Sequence, residues 1–417
     1  LLDGGWRSFR EKTIKLKVKL FGFLPWQVKR KALYTEHGPA IETPHGIYAI
    51  RYAGMGEVKQ IEQWLAMNKA TNFEEWLAAL AQHTFASFNF VYSDKDGNIA
   101  FIHNSMTPVR IPGYNWHNYL PGDKSSLIWD SYISFEKLPM VINPSSGYLI
   151  SANQSPFFVT SDKDNPDRKN YSNEDGFPTR MTNRAVRGLE LLSELDKIDE
   201  QTFSAIKHDK KYSKNSRAYK YLEKAMLADL GDLNTQKHEI YANAQTILKK
   251  WDLSTDKNNR GAALGTCIIG AEWLAEQQGE NPPDPSGELK RCTDLLLDKI
   301  GRIDPKWGEV NRHIRGEINV ALGGGPDTLR AIYGLGLEEK GYLTNIAGDG
   351  LYYLVSWDKD KKQKVLGIHQ FGSATLDENS PHYADQALDF ANEILHDPLF
   401  DANKRQQKLD RRYRPGQ

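Results

Sequence analysis

Asn153 and Gln154 lie in the stretch NPSSGYLISANQSPF, Asn143 to Phe157, at a point where a strand would stay apolar. The amide NH₂ of an Asn donates hydrogen bonds without carrying charge. It can therefore hold the oxyanion that forms when a carbonyl is attacked. Asn also closes strands and turns by bonding nearby backbone, and local chemistry alone favours this plainer role for Asn153.

Other segments with chemical potential offer less. The run GGGPDTLRA, Gly323 to Ala331, is glycine-rich and is expected to lead into a helix, which would suit a phosphate cradle. It lacks the Lys-Ser/Thr ending of a P-loop, and Asp327 would set a negative charge against phosphate, so the expectation is a turn with Asp327 as helix cap. The 11 histidines show no HExxH or other paired metal spacing. His37 and His369 fall in apparent strands as hydrogen-bonded structural side chains. No GxSxG elbow is present. The loop around Trp116 and Tyr119 could seat a sugar or an acyl group, or serve as a half-buried anchor.

Composition narrows the partners. The 417 residues carry 54 basic and 54 acidic side chains, so no net field steers the chain toward nucleic acid or an anionic membrane. A small molecule or another protein is the expected partner, with no nucleic acid. No run approaches the roughly 20 apolar residues that cross a bilayer, so no membrane span is expected. Cys267 and Cys292 are the only cysteines, which excludes a disulfide scaffold and a Cys-based zinc site. They can form one disulfide or stand as two buried thiols. The opening LLDGGWRSFREKTIKLKVKL has no initiator Met and starts at an apparent hairpin turn, which suggests a processed or truncated polypeptide.

The elements that would position Asn153 follow from periodicity. Thr13 to Leu20 alternates polar and apolar residues, the mark of a strand with one buried face. Further strands are expected around KALYTEHGPAI and GIYAIRYA, and then a helical pair near residues 57–85, with Ile61, Trp64, Leu65, Trp76, Leu77 and Leu80 at helical spacing and Asn72 as a cap. FNFVYSDKDGNIAFI is a hairpin turning at Asp96-Gly97. A strand GYLIS should end at Asn153, and Thr160 to Asp175 is a surface loop. The chain thus divides into a β-rich part over 1–178, a mainly helical region over 179–300, and C-terminal strands with a closing helix PHYADQALDFANEIL over 301–417. Strands, then helices, then strands again define an α+β fold.

The motifs in order, EHGPAI, FNFVYSDKDGNIAFI, SYISFEKLPMVINPSSGYLISANQSP, NRAVRGLELL, LGGGPDTLRA, AGDGLYYLVSWD and FGSATLDENSPHYADQ, resemble the penicillin acylase family of N-terminal nucleophile hydrolases along essentially the whole chain. Phe135 to Pro156 is the most specific part. The resemblance implies an αββα sandwich of antiparallel sheets with a mainly helical insertion. It also implies cleavage of the linear amide of an acylated small amine, of β-lactam side-chain or N-acyl-homoserine-lactone type. By its place in GYLISANQSP, Asn153 matches the family's oxyanion Asn. Arg184 in NRAVRGLELL matches a supporting Arg, with Arg180 as second choice, and the plainer reading of either is an exposed Arg at a helix start. A structural calcium is implied near Asp162 and Asp164, with no cofactor needed for the chemistry. Localisation in the periplasm or outside the cell is implied as well.

The departure from the family is at the nucleophile. In such enzymes a Ser, Thr or Cys at the N-terminus of the β subunit attacks, with its own α-amine as base. Leu1 has no nucleophilic atom. The expectation is therefore that this chain is most of a β subunit, inactive alone. Its partners would be an α subunit and the N-terminal part of the β subunit. The alternatives are a catalytically inactive acyl-ligand-binding or subunit-scaffold protein of the same fold, and a carbohydrate-binding module resting on the aromatic loops.

Overall fold

The computed structural model describes residues 1–231 and 235–409. Residues 232–234 of the expected helical region and 410–417 of the expected C-terminal region lie outside the described residues. The chain forms two compact units, Leu1–Arg180 and Met181–Gln417.

The first unit holds strands β1 (Arg10–Leu20), β2 (Leu24–Tyr34), β3 (Pro39–Thr43) and β4 (Gly46–Ala49) in one antiparallel meander. Helices α1 (Gln60–Lys69) and α2 (Phe73–Leu80) follow, and then β5 (Phe88–Ser93), β6 (Ile99–Asn104) and β7 (Met140–Ile142) in a second antiparallel sheet. The β1–β2 register runs from Arg10 opposite Tyr34 to Leu20 opposite Leu24. It places Ile14, Leu16 and Val18 on one face and Lys15, Lys17 and Lys19 on the other, because the side-chain period of a strand is two. The alternation holds, but the expected buried face does not: every residue of β1 is exposed in this chain. His37 lies in the turn between β2 and β3 rather than in a strand.

Asn72 caps α2 as expected, accepting from Glu75 N at 2.8 Å, while the Glu75 carboxylate returns to Thr71 N at 2.9 Å. Trp76 and Leu80 pack with Phe85, Phe90 and Ile102. On α1 the periodicity misleads, since Ile61 and Leu65 are exposed and the buried positions are Gln63 and Met67. Gln63 is a polar staple: its Nε2 donates to Leu80 O at 3.2 Å and its Oε1 accepts from Thr84 N at 2.8 Å. The β5–β6 hairpin turns at Gly97, whose φ of 91° suits a residue without Cβ.

The second unit begins with six helices: α3 (Asn183–Ser193), α4 (Glu200–Lys207), α5 (Arg217–Leu227), α6 (Thr235–Lys250), α7 (Ala262–Gln278) and α8 (Pro285–Ile300). Leu222, Leu248, Trp251, Leu264, Ile268, Leu289 and Leu296 form the core shared by α5, α6, α7 and α8. α7 approaches Trp251 so closely that a Cβ at Gly265 would lie 2.1 Å from its ring. Cys267 on α7 and Cys292 on α8 form a disulfide, which decides between the two expected states.

The remainder of the unit comprises α9 (Trp307–Val310), β8 (Asn311–Arg315), β9 (Ile318–Ala321), β10 (Ile332–Leu335), α10 (Leu337–Lys340), β11 (Leu343–Gly348), β12 (Tyr352–Trp357), β13 (Gln363–Ile368), α11 (Ala387–Ala391) and α12 (Ala402–Gln407). One sheet has the order β10-β11-β8-β9, with a parallel β11–β8 pair among antiparallel neighbours, and β12–β13 is a hairpin. The closing helix is much shorter than expected, with only the five residues of α11 helical. His369 lies just past β13 and accepts from Phe371 N and Gly372 N through Nδ1, both at 3.1 Å. GGGPDTLRA leads into β10, not a helix. Among the described residues no helix is long and apolar enough to cross a membrane.

Candidate active site

Asn153 sits on a loop of the first unit, with an exposed side chain and a left-handed backbone, φ 62°. Asn is one of the few residues with a Cβ that adopts this region readily. The expected strand GYLIS is absent as a ladder: residues 147–151 form no strand, Gly147 is left-handed at φ 74°, and the chain is held instead by Ile150 N to Val159 O at 2.8 Å and by Thr160 Oγ1 to Tyr148 O at 2.8 Å. The reason is Gln154. Its buried side chain fills the space a ladder partner would occupy, with Nε2 donating to Ile150 O at 2.9 Å and Phe158 O at 3.1 Å and Oε1 accepting from Ala152 N at 2.6 Å.

The loop is therefore braced from within by one amide, and the neighbouring amide, Asn153, is turned outward. Downstream, Ser155 N donates to Arg180 O at 2.9 Å, and Phe157 packs with Leu138 and Phe177 beneath the loop. Behind this cluster His103 is buried, with Nδ1 2.6 Å from Asn89 Oδ1, and burial pushes its imidazole down to about 4. Asn153 thus carries a neutral amide on an exposed, left-handed loop position.

Arg184 belongs to the second unit, on the first turn of α3. It is not an exposed helix-start Arg: its Nε donates to Asp327 Oδ1 at 3.1 Å, and Asp327 is buried. Asp327 Oδ2 also accepts from Asn183 N at 2.7 Å, at the head of α3, where a carboxylate meets the positive end of the helix. Asn183 Nδ2 donates back to Asp327 O at 2.8 Å, and its Oδ1 accepts from Ser213 N at 2.8 Å. Burial pushes the Asp327 carboxyl up, and the Arg184 guanidinium opposes that shift. Asp327 therefore does cap a helix, but one that begins 144 residues earlier in the chain.

Nearby, Arg330 is completely buried, with NH1 donating to Asp349 Oδ2 at 2.9 Å and NH2 to Phe390 O at 2.6 Å. The glycine-rich run is thus a hub of buried charge. Two features escaped sequence reasoning, the bracing role of Gln154 and the pairing of Asp327 with Arg184. Gln154 is adjacent to Asn153 and carried the right side chain for a brace, whereas the partnership of Asp327 with Arg184 left no local signal.

Asp164, in the expected calcium region, accepts from Ser145 Oγ at 3.0 Å, Ser146 N at 2.9 Å and Ser161 Oγ at 3.1 Å. Desolvation pushes its carboxyl up, and the serine bonds outweigh that, leaving it below the ordinary carboxylate range. The residue is occupied in holding the NPSSG turn. Among the described residues no group of three or more His, Cys, Asp or Glu is set to hold a metal ion.

The chain is similar to known proteins along most of its length. The chain superposes on a thermostable penicillin G acylase from Alcaligenes faecalis with a TM-score of 0.65 at 16% identity, covering 99% of this chain and 82% of that one. That likeness gives the fold class, α+β with mainly antiparallel sheets. A stretch of 163 residues is 32% identical to penicillin G acylase of Escherichia coli, covering 37% of this chain and 18% of that protein's length. The model of the penicillin amidase family matches residues 1–407, and the chain belongs to that family.

Proposed function

We propose that this chain is the greater part of the catalytic subunit of an amidohydrolase that cleaves the linear amide between an acyl group and a small amine. In this reading the Asn153 amide is the side-chain half of the oxyanion hole. The nucleophile is a terminal Ser, Thr or Cys that is not among these 417 residues, and it arrives with the N-terminal part of the same subunit, beside an α subunit. Arg184 is kept as the candidate supporting Arg, and within its own unit it is held by the ion pair with Asp327. Family membership supports the reaction class. The observation that carries the reading is the outward Asn153 on a loop clamped from inside by Gln154. The amine half of the substrate would be of the β-lactam or homoserine-lactone kind. The Cys267–Cys292 bridge supports an oxidising, periplasmic or secreted setting.

The test begins with mass spectrometry and N-terminal sequencing of every polypeptide that co-purifies with the chain, followed by reconstitution. Asn153→Ala should then lower kcat by about 10²–10³, the cost of one oxyanion donor. An unchanged kcat would return Asn153 to the role of a loop residue.

A further inference from the structure

A cavity of about 540 Å³ in the first unit is lined by two guanidiniums, Arg110 and Arg168, together with Trp116, Tyr114, Phe177 and Glu174. Its volume is that of an ordinary small-molecule site. Both cations are held by neutral oxygens. Arg110 NH1 donates to Glu174 O at 2.8 Å and Asp175 O at 3.2 Å, and Arg168 donates to Tyr171 O at 2.6 Å and to Asn173 Oδ1 at 2.9 Å. The two carboxylates nearby are otherwise engaged, Glu174 with the Ser172 hydroxyl and Asp175 with Ser172 N at 2.8 Å. Asp175 offsets part of the Arg110 charge from a distance, and Lys124, donating to Tyr114 OH at 2.9 Å, adds a cation at the rim.

Arg110 Nε is buried with no hydrogen-bond partner among the described residues. A half-buried guanidinium that lacks a carboxylate and leaves a donor unused is unfavourable, and an incoming anion would relieve it. Flat apolar surface stands beside the charge. Arg110 lies 5.5 Å from the Trp116 ring centroid, Trp116 is pinned by Nε1 to Ile111 O at 3.1 Å, and Phe177 belongs to the buried aromatic cluster with Phe157 and Tyr171.

We infer that this cavity binds a small aromatic carboxylate, with the carboxylate between Arg110 and Arg168 and the ring against Trp116 and Phe177. The inference does not use Asn153 and is read by binding alone, so it stands or falls separately from the proposed reaction.

The test is calorimetric titration of the purified chain with benzoate and with its neutral counterpart, benzamide. Benzoate should bind at least about tenfold more tightly than benzamide, as charge-assisted bonds require. Arg168→Gln should weaken benzoate about tenfold while changing benzamide less than about twofold, and Trp116→Ala should weaken both ligands. Arg110→Gln should act as Arg168→Gln does. Because Arg110 also holds the 172–176 turn, Arg168→Gln decides the matter if the Arg110 variant does not fold. Equal affinity for benzoate and benzamide, undetectable benzoate binding, or full affinity in Arg168→Gln would each overturn the assignment.

Discussion

Gln154 Oε1 accepts the backbone hydrogen of Ala152 at 2.6 Å, so that the two residues flanking Asn153 are tied to each other and Asn153 is forced out of the loop. The two amides should therefore separate by experiment. Gln154→Ala would strip partners from Ala152 N, Ile150 O and Phe158 O, and should cost about 2–4 kcal/mol in denaturant unfolding, because buried backbone groups left unpaired are expensive. Asn153→Gly removes the side chain while suiting the positive φ, so it should leave stability within about 1 kcal/mol of wild type. In a reconstituted enzyme it should lose activity as Asn153→Ala does. A large stability loss in Asn153→Gly would contradict the division of labour.

The Arg184–Asp327 pair is a second point of leverage. Asp327 is buried and accepts from Arg184 Nε and Asn183 N, so Asp327→Ala removes both acceptors and should destabilise the chain by about 3–5 kcal/mol. Asp327→Asn keeps an acceptor for Asn183 N and should cost less. Denaturant midpoints for the two variants no lower than that of wild type would show that the pair is dispensable.

The disulfide closes a sequence separation of 25 residues between α7 and α8. Loop-closure entropy puts its contribution at about 3 kcal/mol. Cys267→Ser/Cys292→Ser should lower the unfolding midpoint accordingly, and a reducing agent should lower the wild-type midpoint but not that of the double variant. Equal response of both proteins to reductant would contradict the bridge.

Acid sensitivity should trace to buried histidine. His103 titrates at about 4 in the folded chain and near 6.5 when unfolded. Between those values the unfolded state binds a proton that the folded state refuses, so stability is complete above about pH 6.5 and falls as the pH drops toward 4, by up to about 3 kcal/mol. His208 and His313, also depressed by burial, add to the slope in the same direction. The test is the difference between wild type and His103→Gln, whose melting temperature should fall less steeply over that window. Parallel curves would exclude His103 as a source.

Much of this was legible beforehand where the cause is local. The β5–β6 hairpin needed only Asp96-Gly97 between β-rich runs, and the start of α2 needed only Asn72. Legibility failed where a distant partner decided. Ile61 and Leu65 have the spacing of a buried face, yet Gln63 is the side chain taken into the core, because it satisfies two backbone groups of α2 and its C-terminal turn. GYLIS looks like a strand, yet the Gln154 side chain takes the bonds that a ladder would make.

What the sequence determined by itself was order: the succession of strands, helices and strands, the family likeness carried by ordered motifs, and Asn153 as the candidate donor. Tertiary structure decided which groups meet. It gave Asn153 its outward, left-handed pose, paired Arg184 with an Asp that lies 143 residues further along the chain, and joined two cysteines that composition left undecided. The reason is physical. Periodicity and turn chemistry act over a few residues, whereas the cost of burying an unpaired polar group is met by whichever partner the fold brings near, however far away it lies in the chain.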